Sequence, residues 1–467
     1  MTSTPETIRT VGELRASDHR HRTVKEELRD NLLARMRDGA PRFPGIVGYD
    51  DTVLPEVERA ILAGHDMVLL GERGQGKTRV IRSLVGLLDE WTPVIASSEL
   101  NEHPYEPLTP SSIRQAEELG DELPIRWLHR SLRYGEKLAT PDTSVGDLIG
   151  DVDPIRVAQG RTLGDPETIH FGLVPRTNRG VFAVNELPDL AERIQVSLLN
   201  VLEERDIQVR GYQLRLPLDI LLVASANPED YTNRGRIITP LKDRFGAEIR
   251  THYPLELGLE LELIRQEARL VAEVPDHVLE VVARFARAVR ESPSVDARSG
   301  VSARFAIAGV ETVSASALRR SGLLRETAAT ARIGDTTSIT STLRGKVEFE
   351  SGEEGRETEV LAHLLRTATA ETFRARLAGL DLSGFTDLVA EGDIVETGEL
   401  VGAEDLLRQV GTVPGLAKVL ERLGFDDAPT PAQAAAGVEF TLEGLHLTRR
   451  LSKAMTDEGR TLYGSRE

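Results

Sequence analysis

Residues 71–78 read Gly-Glu-Arg-Gly-Gln-Gly-Lys-Thr, between an apolar run from Met67 to Leu70 and an amphipathic helical pattern from Thr78 to Leu88. No other stretch narrows the fold so far. A glycine-rich turn that follows a buried strand and opens a helix is a phosphate-binding loop, and its usual setting is an α/β domain with a parallel sheet. Gly71, Gly74 and Gly76 are expected to let the backbone curl so that its N–H groups, through Glu72, Arg73 and Gln75, face the phosphates. Lys77 is placed to reach the β- and γ-phosphates and the Thr78 hydroxyl to ligate Mg²⁺, so the expected cofactors are ATP and Mg²⁺.

Two further apolar runs end in polar residues. Gly180-Val-Phe-Ala-Val-Asn-Glu186 is the first. In open α/β sheets the carboxyl ends of the strands face the ligand crevice. Glu186 is then placed to polarise an attacking water, and Asn185 to stand beside Mg²⁺. Taken alone, a buried strand with a polar end explains the same letters. Ile220-Leu-Leu-Val-Ala-Ser-Ala-Asn-Pro228 is the second run. The Asn227 amide suits a water or the γ-phosphate, and an Asn before Pro is also a turn former. Leu241-Lys-Asp-Arg-Phe-Gly246 follows. Arg244 reads either as an arginine finger for a neighbouring subunit or as a surface Arg paired with Asp243 or another acid. Ser302-Ala-Arg304 opens a helix, and Arg304 is the candidate for coupling a lid to the same phosphate.

The chain has 467 residues, too many for one compact domain. Its 40% hydrophobic and 28% charged residues suit globular domains. The 57 basic and 75 acidic residues leave a formal charge of −18, which repels phosphate backbones, so no nucleic-acid partner is expected. Cysteine is absent, which excludes disulfides and thiolate metal sites. Met1 to Thr10 has no apolar core, and no apolar run approaches the ~18 residues of a membrane span. The expectation is a cytoplasmic protein without membrane insertion.

The pattern divides into an N-terminal helical arm, read as peripheral, at 1–40, and an α/β nucleotide-binding domain at 41–250. A helical lid follows at 251–332, then a linker at 333–357 that includes Glu-Ser-Gly-Glu-Glu-Gly-Arg-Glu, and a mainly helical region at 358–467. Strands are expected at Met67 to Leu70, Pro93 to Ala96, Gly180 to Val184 and Ile220 to Ala224. The Pro-, Gly- and Asp-rich stretch from 98 to 170 reads as insertions between core elements.

Together these segments resemble the AAA+ ATPases, and within them the branch of the magnesium-chelatase ATPase subunit and the MoxR-type ATPases. The resemblance runs from Phe43-Pro-Gly-Ile-Val-Gly48, similar to the family's adenine-side box, through the P-loop to Ser144-Val-Gly-Asp-Leu-Ile-Gly-Asp-Val-Asp-Pro154. It then takes in the strand ending at Glu186, Asn227-Pro228, Asp243-Arg-Phe-Gly246 and Ser302-Ala-Arg304. It implies a P-loop AAA+ core, a helical lid and a hexameric ring. It also implies a partner with a von Willebrand factor A domain. Ile46 and Val47 take the adenine side, Glu186 the catalytic carboxylate, Asn227 the first sensor, Arg244 the finger and Arg304 the second sensor.

The implied activity is an ATP-hydrolysing motor that remodels or activates a protein partner. A genuine metal-chelatase subunit is the alternative. A sigma-54-type activator is disfavoured, because the sequence has no Gly-Ala-Phe-Thr-Gly-Ala loop. Two departures stand out. Asn185 occupies the position of the usual Asp, and Ser98-Glu-Leu-Asn-Glu-His-Pro104 lacks the cysteines common in chelatase subunits there.

Overall fold

Five parallel strands form the central sheet. In spatial order they are Ala247–Arg250, Met67–Leu70, Ile220–Ala226, Gly180–Asn185 and Tyr134–Leu138. The three central strands are buried along their whole length, as their apolar sequences require. A computed structural model describes the chain except residues 1–6, 154, 156–167, 204–206, 210–211, 215, 228–235, 297–299, 391–392, 426–427, 457–458 and 467. Pro154 and Pro228, named above, lie outside the described residues. The chain divides into two compact units, Met1–His252 and Tyr253–Glu467. The expected α/β core with a parallel sheet is present in the first unit.

The strand expected at Pro93 to Ala96 is not part of this sheet. Trp91–Ile95 pairs antiparallel with Ile125–His129 in a separate two-stranded sheet. The outer strand beside Gly180–Asn185 is Tyr134–Leu138, inside the stretch read as insertions. That strand is an edge, paired on one side and half-exposed, so it carries Glu136 and Lys137 and shows no apolar run.

The N-terminal segment is not a peripheral arm. Helix Val24–Asp38 begins at a capping box of Thr23 and Glu26. Its Val24, Leu28 and Leu32 are buried with Met67, Leu69, Val181 and Val223 of the central sheet. Each such side chain stabilises the fold by about 1.5–3 kcal/mol. Glu27 on this helix is buried too. It accepts two hydrogen bonds from Arg133, at 2.7 and 2.6 Å, and one from the Asp89 backbone N–H at 2.6 Å. Arg133 Nε donates to the Arg179 carbonyl at 2.6 Å.

Removing one partner of a buried, hydrogen-bonded ion pair costs about 3–5 kcal/mol. Arg133→Ala is therefore expected to lower the stability of the first unit by about that much. Both tryptophans of the chain, Trp91 and Trp127, lie in this unit. Their fluorescence during urea unfolding reports on it, and an unchanged midpoint would show that the pair adds nothing.

The second unit is helical, with Leu257–Glu267, Asp276–Glu291, Ala303–Leu324, Glu357–Leu377 and Pro431–Leu447 as its longer helices. A three-stranded antiparallel sheet of Val395–Thr397, Thr461–Gly464 and Ser452–Met455 completes it. Residues 333–357 are not a free linker. Short helices there, Ile333–Thr337 and Ser338–Thr342, carry Ile333 and Ile339 into the core, joined by Leu343 and Val347. The same core holds Phe305 and Val310 of the expected lid and Leu365, Phe440 and Tyr463 of the C-terminal region. No helix among the described residues is long and apolar enough to cross a membrane.

Candidate functional site

The register of the sheet gathers the sequence candidates at one edge. Leu70 pairs with Ala226, and Ala224 with Val184, so the loop after Met67–Leu70, Asn227 and Asn185-Glu186 all leave the carboxyl ends of adjacent parallel strands. Gly74 and Gly76 both have φ of 76°, the left-handed region that glycine enters at no steric cost. Gly71 has a different task. A Cβ there would lie 1.9 Å from Thr251 Oγ1 and 2.2 Å from Gln75 Oε1. Its missing side chain makes room for a brace in which Gln75 Oε1 accepts from the Glu72 N–H at 3.0 Å and from Thr251 Oγ1 at 2.8 Å.

Tyr49 adds a second brace. Its hydroxyl donates to the carbonyls of Gln75 and His252, the latter at 2.8 Å, and burial pushes its pKa up to about 12. The box that precedes it is close by: a Cβ on Gly45 would stand 3.3 Å from Arg79 on helix Lys77–Ser83. Ile46 and Val47 are half-buried there, while Arg73 and Gly74 face solvent. The amphipathic pattern to Leu88 is therefore a seven-residue α-helix that tightens into a 3-10 turn at Leu84–Leu87. Lys77 is 6% exposed and folds back, donating to the Gly71 carbonyl and, at 2.9 Å, to that of Glu72. A cavity of about 380 Å³ opens beside the loop, lined by Gly71, Glu72, Gln75 and Thr251 together with Lys242 and Arg250.

The loop and the neighbouring strand end meet at Thr78. Its hydroxyl lies 3.4 Å from Asn185 Oδ1, which also accepts from Ser225 Oγ at 3.2 Å. The other end of the same amide, Asn185 Nδ2, donates to Glu136 Oε1 at 2.6 Å. Glu136 further accepts from Tyr134 OH at 2.9 Å and from Arg82 at 2.9 and 3.0 Å. Burial first, and the adjacent Glu136 second, push the Tyr134 phenol up, so it remains a donor. Thr78, Asn185 and Glu136 are all oxygen ligands of the kind that suit Mg²⁺. Among the described residues no cluster of three or more His, Cys, Asp or Glu forms a metal centre.

Glu186 has φ 55° and ψ 49°, a left-handed conformation uncommon for a residue with a side chain. Its N–H donates to Ser225 Oγ at 3.2 Å. Such backbone outliers collect at functional sites, where the surroundings enforce them. Asn227 is buried at the end of Ile220–Ala226, 3% exposed. Arg244, at the end of helix Thr239–Arg244, is exposed and donates to Glu203 at 2.6 Å, the ion-pair arrangement allowed for above. Arg304 is exposed on the first turn of Ala303–Leu324, in the second unit.

The family described as "Sigma-54 interaction domain" matches residues 162–244, the span that holds Asn185, Glu186, Asn227 and Arg244. The magnesium-chelatase subunit ChlI of a Nostoc species is 28% identical over 239 residues, 50% of this chain and 60% of that protein. The ChlI subunit of Cyanophora paradoxa is 30% identical over 217 residues, 45% of this chain and 58% of its own length. The chain is a relative of the magnesium-chelatase ChlI subunits. It spans about three fifths of the length of these curated relatives. Among solved structures, one described as the complex between subunits BchI and BchD of magnesium chelatase aligns with 68% of this chain and 98% of its own, at 20% identity and a TM-score of 0.36.

For a ChlI relative, several site residues escaped the linear reading: Glu136, Ser225, Tyr49 and Thr251. Ser225 lies within the quoted strand, and its alternation with Asn227 is the one signal that placed it at the edge. Glu136 had no such signal, because its strand was not recognisable.

Proposed function

We propose that this chain is an ATP-hydrolysing AAA+ motor that works as a homo-oligomeric ring and remodels or activates a protein partner. The observation that carries the reading is the meeting of Thr78 and Asn185 across 3.4 Å, which joins a braced glycine loop to the strand end that presents Glu186. Backbone N–H groups of residues 71–76 and Lys77 would hold the phosphates, with Ile46 and Val47 on the adenine side. Thr78 and Asn185 would face Mg²⁺, which neutralises phosphate charge when bound. Glu186 takes the proton side of water attack, Asn227 positions the water or the γ-phosphate, and Arg244 and Arg304 sense or stabilise the phosphate. The ring is hexameric by resemblance, and the partner carries a von Willebrand factor A domain. The site itself is cytoplasmic in this reading.

A second reading, the ATPase subunit of a metal chelatase, is favoured by the names of the relatives. Both readings use one motor, and they separate on whether a porphyrin-metallating partner stimulates turnover. The match to the sigma-54 family covers residues 162–244 and leaves out the glycine loop at 71–78, and the Gly-Ala-Phe-Thr-Gly-Ala loop is missing from the sequence.

Lys77→Ala tests the common core. It removes a charge-assisted donor worth about 1.5–3 kcal/mol, so nucleotide affinity is expected to fall roughly 10- to 100-fold. Equilibrium binding of a fluorescent ATP analogue reads this directly. Affinity and turnover close to those of the parent chain would refute the phosphate-loop assignment.

A further inference from the structure

We propose that Glu136 supplies the carboxylate charge on the Mg²⁺ side of this site, standing in from the neighbouring strand for the carboxylate that Asn185 lacks. The inference rests on the nucleotide-binding reading above and adds a positioning residue to it.

Four donors converge on Glu136: two N–H groups of Arg82, Tyr134 OH and Asn185 Nδ2. The register explains how it reaches Asn185. Glu136 pairs with Ala183, two residues before Asn185, so both side chains stand on one face of the sheet.

Two consequences follow for Asn185. By taking up Nδ2, Glu136 fixes the amide so that Oδ1 points at Thr78 and Ser225. It also places a carboxylate one amide away from the Thr78 hydroxyl. Arg82 pairs with that carboxylate, and with a side chain 62% exposed against 21% for Glu136 it is the more strongly screened by water of the two.

The test uses the full chain and a fluorescent ADP analogue, with free Mg²⁺ titrated at fixed nucleotide. Glu136→Gln keeps an acceptor for Asn185 Nδ2 and removes only the charge. The Mg²⁺ needed for half-maximal binding is expected to rise about tenfold or more. The double variant Glu136→Gln with Asn185→Asp is expected to restore the parent value, because the charge returns one position over.

An unchanged Mg²⁺ curve in Glu136→Gln, with the parent chain Mg²⁺-dependent, overturns the inference and leaves the proposed function standing. A rise that Asn185→Asp does not reverse makes Glu136 a structural residue and overturns it as well. A parent chain that binds no nucleotide at any Mg²⁺ concentration refutes the underlying reading and the inference with it.

Discussion

Replacing Arg244 with Ala is expected to lower ATP turnover by ~10³-fold while each subunit still binds nucleotide. A guanidinium that offsets charge on the transferring phosphoryl oxygens has effects of this size in other phosphoryl-transfer systems. The structure shows the side chain exposed at a helix end and held by Glu203 at 2.6 Å. An exposed ion pair of this kind is worth about 0–1 kcal/mol, so it is readily exchanged for a neighbour's phosphate. The finger reading is tested by mixing two inactive variants. A Lys77→Ala subunit still offers Arg244, and an Arg244→Ala subunit still offers Lys77. Mixed rings should recover part of the turnover that neither variant has alone. Absence of recovery in rings shown to be mixed returns Arg244 to its ion pair with Glu203.

Glu186→Gln should separate binding from chemistry. Gln matches Glu in size and keeps its hydrogen-bonding capacity, but it has no charge with which to polarise water. Turnover is expected to fall about 10²-fold or more, with nucleotide affinity retained. The left-handed backbone at 186 belongs to the main chain and its Ser225 contact, so the amide should occupy the same position. A parallel loss of binding and turnover would mean that Glu186 shapes the pocket and does no chemistry. The same variant, held with ATP, is the bait for retaining an unknown protein partner.

The phosphate loop, the three central strands and the polar residues at their ends were legible because each is a contiguous word with a physical requirement behind it. Buried parallel strands must be apolar, and a phosphate loop must have glycine where φ is positive. The edge strand Tyr134–Leu138 obeys neither rule, whereas Pro93 to Ala96 is apolar and reads as a strand of the parallel sheet although it pairs antiparallel elsewhere. The N-terminal helix showed its apolar spacing at Val24, Leu28, Leu32 and Met36, but spacing says nothing about which surface receives it. Gly71 was expected to serve backbone curvature. The structure gives it another task, room for the contact between Gln75 and Thr251, which stand 176 residues apart along the chain. Glu136 was invisible for a related cause: its meaning comes from strand register, which a linear motif does not contain. The polar, acidic stretch at 333–357 looked like slack because its core residues, Ile339, Leu343 and Val347, are spread thinly among Thr, Ser and Gly.

That last stretch has a mechanical consequence. Chain without buried anchors absorbs displacement, whereas Ile333, Ile339, Leu343 and Val347 are buried in one core with Val310, Leu365 and Phe440. Helix Ala303–Leu324, which carries Arg304, therefore shares one core with the C-terminal helices and does not stand on a loose tether. Cutting the chain after Arg332 would not free a smaller lid; it would leave a torn apolar surface that aggregates.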